Sequence, residues 1–136
     1  MRFCYRIKDS WWNFRSKCQR FKRGYSWGDV WDMDQWFMNT IKPMLIHLRD
    51  HGIGCPNEFY DEANDSDEAW KNILTEMINC LEMMDEDNVR SYLGFGDVED
   101  WKRMTREDYI NVHKIMNDNK NSFFRLFSEY FYDLWD

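Results

Sequence analysis

Apolar residues at the start of the chain fall at Cys4, Ile7, Trp11, Phe14, Cys18 and Phe21. Alternating steps of three and four are a helix period, and a turn of about 100° per residue gathers all six on one face. Arg2, Arg6, Lys17 and Arg20 fall on the opposite face of the same wheel. Gly24 comes next, the residue type that most often ends a helix in the left-handed conformation. The stretch Arg23–Trp31, RGYSWGDVW, then poses a choice between a ligand site and a joint. Ser26 is a good N-cap, and Asp29 stands three residues on as the acid of a capping box. The stretch therefore reads as a helix stop, a turn and a helix start.

A second helix is predicted from there through Val30, Trp31, Asp34, Phe37, Ile41, Leu45 and Leu48. It should be kinked or broken at Pro43, whose ring removes a backbone donor. Gly52 and Gly54-Cys55-Pro56 end it, and residues 52–65 read as an acidic loop. Asp65 or Ser66 should cap a third helix with Trp70, Ile73, Leu74, Met77, Ile78, Leu81 and Met84 on one stripe. Residues 85–97 read as a connector, with a short turn near Val98–Arg103. Thr105 and Asp108 repeat the capping-box pattern before a long last helix carrying Tyr109, Val112, Met116, Phe123, Phe127, Tyr130, Phe131 and Leu134. Asn117 to Asn121 are weak helix formers and should bend it. The tail aromatics should enter the core or a dimer seam, beside Trp11, Phe14, Trp31 and Phe37. No period-two run occurs. The expectation is an all-α fold: a single helical domain over 1–136, a bundle of about four main helices.

Composition changes this picture in two ways. Aromatics are 18% of the 136 residues, more than one small core needs, so some should line a surface for binding or self-association. Charge is also divided. Residues 1–24 hold eight Lys/Arg and one acid (+7), and residues 25–136 hold ten Lys/Arg and twenty-four acids (−14). No run approaches the roughly 20 apolar residues of a membrane span, and no signal-peptide core is visible, so no membrane partner is expected. Cys4, Cys18, Cys55 and Cys80 form no C-x-x-C pair and read as reduced thiols of a cytoplasmic protein.

Candidate chemistry is thin. His47, His51 and Cys55 follow at intervals of four, a metal-ligand spacing, but glycines break the helix before Cys55. Imidazoles near a helix C-terminus also suit the dipole, and that reading is preferred. The pairs Asp32/Asp34, Asp65/Asp67 and Asp85/Asp87 diverge by about 200° on a helix, so they do not aim at one cation. Asp34 alone falls on an apolar stripe, where it would need a partner. Arg90 stands where a calcium loop starting at Asp85 would need glycine. No nucleophile elbow, phosphate loop or dinucleotide fingerprint is present, and neither an enzyme nor a cofactor is expected. Two binding surfaces remain. The basic face of Arg2, Arg6, Lys17 and Arg20 could meet phosphate, although the acidic remainder opposes a polyanion. The acidic run of Glu58, Asp61, Glu62 and Asp65 would meet a protein with a basic surface. The protein partner is preferred over nucleic acid.

The pattern R-G-Y-S-x-x-D-x-W with a following Asp, here Arg23–Asp34, resembles that of small uncharacterised proteins of bacteriophages and prophages. His51-Gly52 with Pro56 is similar to their H-G-x-P turn, with two further residues between Gly and Pro. The ending Phe123, Phe127, Phe131, Leu134, Trp135, Asp136 also resembles theirs. The resemblance implies a phage-related protein in a bacterial cytoplasm or a virion, and it implies no activity.

Overall fold

The structure is a computed structural model that describes residues 2–56, 59 and 66–135, with backbone only for residues 2–10 and Ser66. Among the described residues every regular element is helical: α1 (Arg2–Arg23), α2 (Trp27–Trp31), α3 (Met33–His51), α4 (Ser66–Glu82), α5 (Glu86–Tyr92), α6 (Val98–Trp101) and α7 (Arg106–Glu129). A 3-10 turn, Phe131–Asp133, follows α7. The chain, read from its sequence as one domain, forms two compact units, Met1–Asn39 and Thr40–Asp136.

In the unit Thr40–Asp136, α7 packs against α4 and α5. The predicted stripe of α4 is the heart of this core: Trp70, Leu74, Met77, Ile78 and Leu81 are buried. Val112, Phe123 and Leu126 bury the matching face of α7, and Leu45 the inner face of α3. At the C-terminus of α7, Tyr130 closes the core. Its ring meets the edge of Trp70 at 5.5 Å between centroids and lies 5.8 Å from Phe59. In the other unit Trp11, Phe14 and Trp31, expected beside the tail aromatics, are exposed. Phe131, also expected inside, is exposed because α7 stops at Glu129 and the chain turns there.

Four further expectations are corrected. The second helix is broken at Asp32: α2 ends at Trp31, and α3 continues as helix from Met33 to His51 with Pro43 inside it, so of the kink or break expected at Pro43 the break does not occur. One absent N–H costs a helix one hydrogen bond, which the turns on either side tolerate. The break at Asp32 also resets the helical phase, so Asp34 lies exposed instead of on a buried stripe. The Asn-rich middle of α7 continues as helix, its side chains bonding within the helix: Asn119 Nδ2 donates to the Ile115 carbonyl at 2.8 Å. Finally, residues 85–97 are not all connector. Asp85 caps α5, accepting from the Asp87 and Asn88 amides at 3.0 and 3.1 Å, and Val89 is fully buried.

Arg90 fastens α5 to the elements after it. Its guanidinium lies 4.8 Å from the Trp101 ring and 5.9 Å from the Tyr109 ring, and it pairs with Glu86 and Asp87. The Trp101 indole N–H donates to the Phe95 carbonyl at 2.9 Å. Gly94, at φ +90°, supplies the left-handed turn that brings Phe95 back there.

Removing the most deeply buried ring should show how far the core depends on it. Phe123→Ala should cost about 3–5 kcal/mol in denaturant unfolding, and a chain ending at residue 122 should be insoluble or molten.

Candidate functional site

Among the described residues the unit Thr40–Asp136 carries an apolar groove of about 590 Å³. One wall is α3, whose Ile41, Met44 and Leu48 recur at helix spacing. The other is built from Phe127, Phe131 and Leu134 at the end of α7 and beyond it. Two of these rings form a ladder, Phe127 meeting Phe131 edge-on at 5.5 Å, and Phe127 stacks in turn on buried Phe123 at 5.3 Å. The groove is therefore an outward extension of the core. Met44 (61% exposed) and Trp135 (70% exposed) stand at its mouth. Lys42, one residue past Ile41, pairs with Glu82 of α4 at 2.8 Å and ties the α3 wall to the core helix.

His47 also lines the groove, and its ring lies 4.8 Å from that of His51. Cys55 sits elsewhere, in a smaller cleft with Gly54, Pro56, Asp133 and Trp135. Among the described residues no three His, Cys, Asp or Glu side chains gather in a way that could hold a metal ion. The Cys18, Cys55 and Cys80 thiols are free, and burial pushes the Cys80 thiol up.

The basic face is divided by the structure. Lys17 is exposed, whereas Arg20 is engaged: its Nε donates to Asp29 Oδ2 at 2.9 Å and a second nitrogen to Oδ1 at 2.5 Å. Arg2 and Arg6 belong to the backbone of α1, and their side chains lie outside the described residues. Glu58, Asp61, Glu62 and Asp65 also lie outside them. Farther along the chain four more acids lie close in sequence: Glu82 holds Lys42, Asp85 caps α5, and Glu86 and Asp87 hold Arg90, so these acids serve the fold.

The stretch Arg23–Trp31 is a joint. Gly24 ends α1 at φ +79°, its amide donating to the Arg20 carbonyl at 2.8 Å. Ser26, 1% exposed, caps α2: its hydroxyl accepts from the Asp29 amide at 3.4 Å, and its own amide donates to Asp29 Oδ2 at 2.7 Å. Gln19 Oε1 accepts from the Trp27 amide at 3.0 Å, and the Arg23 guanidinium lies over the rings of Tyr25 and Trp27. Asp29 thus serves three donors, and the Arg20 guanidinium, followed by the Ser26 amide, holds its carboxyl well below the usual carboxylate range. The sequence shows the capping box; the partnership of Arg20 with Asp29, nine residues apart, needed the turn geometry.

The chain matches no family model, no curated protein and no solved structure.

The joint makes a signed prediction. A carboxyl depressed in the folded state contributes stability above its unfolded value near pH 4, and that contribution is lost as pH falls through the lower folded value. Acid titration followed by tryptophan fluorescence should therefore show a transition below about pH 4 that Asp29→Asn removes. Ser26→Ala should cost about 1 kcal/mol at neutral pH.

Proposed function

We propose that this chain is a small binding protein whose groove receives an amphipathic helix of a protein partner. The carrying observation is the groove itself: about 590 Å³, with apolar walls and with Ile41, Met44 and Leu48 presented at helical spacing. A helix laid in such a groove anchors through side chains at the same spacing. Charge supports a basic partner, because residues 40–136 hold ten Lys/Arg against twenty-one Asp/Glu, a balance of −11. Long-range attraction of that sign speeds encounter and selects against acidic competitors. Nucleic acid is the weaker reading, since Asp29 already occupies Arg20 of the basic face. The reading assigns the chain neither catalysis nor a cofactor. In the setting that the phage resemblance implies, the partner is a protein of the infected bacterial cell or of the virion.

A photo-crosslinking amino acid at Met44 tests this in bacterial lysate. The expected product joins Met44 to a basic amphipathic segment of one protein, is lost with Leu48→Asp or Phe131→Asp, and survives Arg15→Glu with Lys17→Glu. Crosslinking that ignores the groove substitutions, or that maps to an acidic or non-helical segment, overturns the proposal.

A further inference from the structure

From Trp11 to Phe21, where side chains are described, the apolar stripe of α1 faces solvent. Trp11 is 66% exposed, Phe14 59% and Phe21 93%, and the Cys18 thiol between them is exposed too. In the same unit Trp31 of α2 is 91% exposed. Helices of globular proteins normally cover such a stripe. Helical register places cations along its borders, Arg15 and Lys22 on one side and, on the other, Lys17, which stands at the edge of the basic face about 40° from Phe21. Residues 1–39 hold eight Lys/Arg against four acids, a balance of +4, opposite in sign to the rest of the chain.

Those borders decide what can cover the stripe. A second copy pairing along this seam would place cation against cation: Lys17 would face Lys22 in a parallel pair, and Arg15 and Lys22 would face their own kind in an antiparallel one. Seams between helices also favour Leu, Ile and Val, whereas here Trp11, Phe14 and Phe21 alternate with Cys4, Ile7 and Cys18. Indole and phenyl rings beneath a border of Lys and Arg are the composition of a helix lying in the headgroup zone of a bilayer. No described helix is long and apolar enough to cross a membrane. Lying in the surface requires a different pattern, a narrow apolar stripe on a helix of low mean hydropathy, and α1 has it.

We infer that α1 is an interfacial anchor: it lies in the surface of an anionic membrane, with Trp11, Phe14 and Phe21 among the acyl chains and Arg15, Lys17 and Lys22 at the headgroups. The sequence expectation of no membrane partner rested on the absence of a spanning run, which a helix lying in the surface does not need. The acidic residues 40–136 are repelled by the same surface, and salt screens that long-range repulsion more than it weakens the contacts that the cations of α1 make with headgroups. Arg20 takes no part, because it holds Asp29.

Flotation of the full chain with vesicles tests the inference, independently of any protein in the groove. Phosphatidylcholine vesicles with about 30% phosphatidylglycerol should carry the protein at about 0.1 M salt, and pure phosphatidylcholine should carry far less. Each basic side chain at such a surface contributes about five-fold, so Arg15→Glu, Lys17→Glu and Lys22→Glu together should weaken binding at least about a hundred-fold. Phe14→Asp with Phe21→Asp should abolish it while the melting of residues 40–136 is unchanged. Three results overturn the inference: no flotation with any anionic vesicle; binding that survives both sets of substitutions; or, without flotation, self-association that Phe14→Asp with Phe21→Asp abolishes, which would mean that a second copy covers the stripe.

Discussion

Burial of one face of α4 against one face of α7 is the constraint on which the unit Thr40–Asp136 depends. Leu74, Met77, Val112 and Phe123 are wholly inside it. α5 is fastened beside these helices through Val89 and Arg90, and Phe59 joins the Trp70–Tyr130 cluster at the end of α7. The groove is a consequence of the same packing. Because Tyr130 turns inward to meet Trp70, the residues after it leave the helix, and Phe131, Leu134 and Trp135 become a wall. A surface extended from a core is held in place by the core, which is what a binding groove requires if little ordering cost is to fall on the partner.

Much of this was legible in the sequence, for identifiable reasons. Long helices with regular stripes declare themselves, so α1, α4 and α7 stand where periodicity predicts. Local caps do the same: the Ser26/Asp29 and Thr105/Asp108 boxes both form as their spacing suggests. α5 was hidden because seven residues with a single buried side chain carry no measurable period. The break at Asp32 was hidden because the apolar residues on either side still fit one stripe approximately, while Pro43 drew attention to a position that helix α3 tolerates.

The candidate surfaces were harder to read, because they depend on which apolar residues remain uncovered. Periodicity shows that Trp11, Phe14 and Phe21 share a face with one another, and says nothing about what that face meets. Nor does it reveal that Phe131 and Leu134 join Ile41 and Leu48, some ninety residues away in the chain, in one groove. Charge was visible from the start, but its meaning changes with structure. Arg20, Glu82, Asp85 and Arg90 hold the fold together, so the cations and acids free to act at a distance are fewer than composition suggests.

The packing of α4 on α7 holds the unit Thr40–Asp136 together, whereas the described stripe of α1, from Trp11 to Phe21, is exposed. Native-state hydrogen exchange of the full chain, read by mass spectrometry, tests that claim most directly. Amides of residues 70–81 and 112–126 should exchange only through global unfolding of their unit, and those of residues 11–18 much faster, as for a helix whose apolar stripe is exposed. Equal protection of α1 and α4 would contradict the account, since it would mean that the aromatic stripe is already packed within the folded protein.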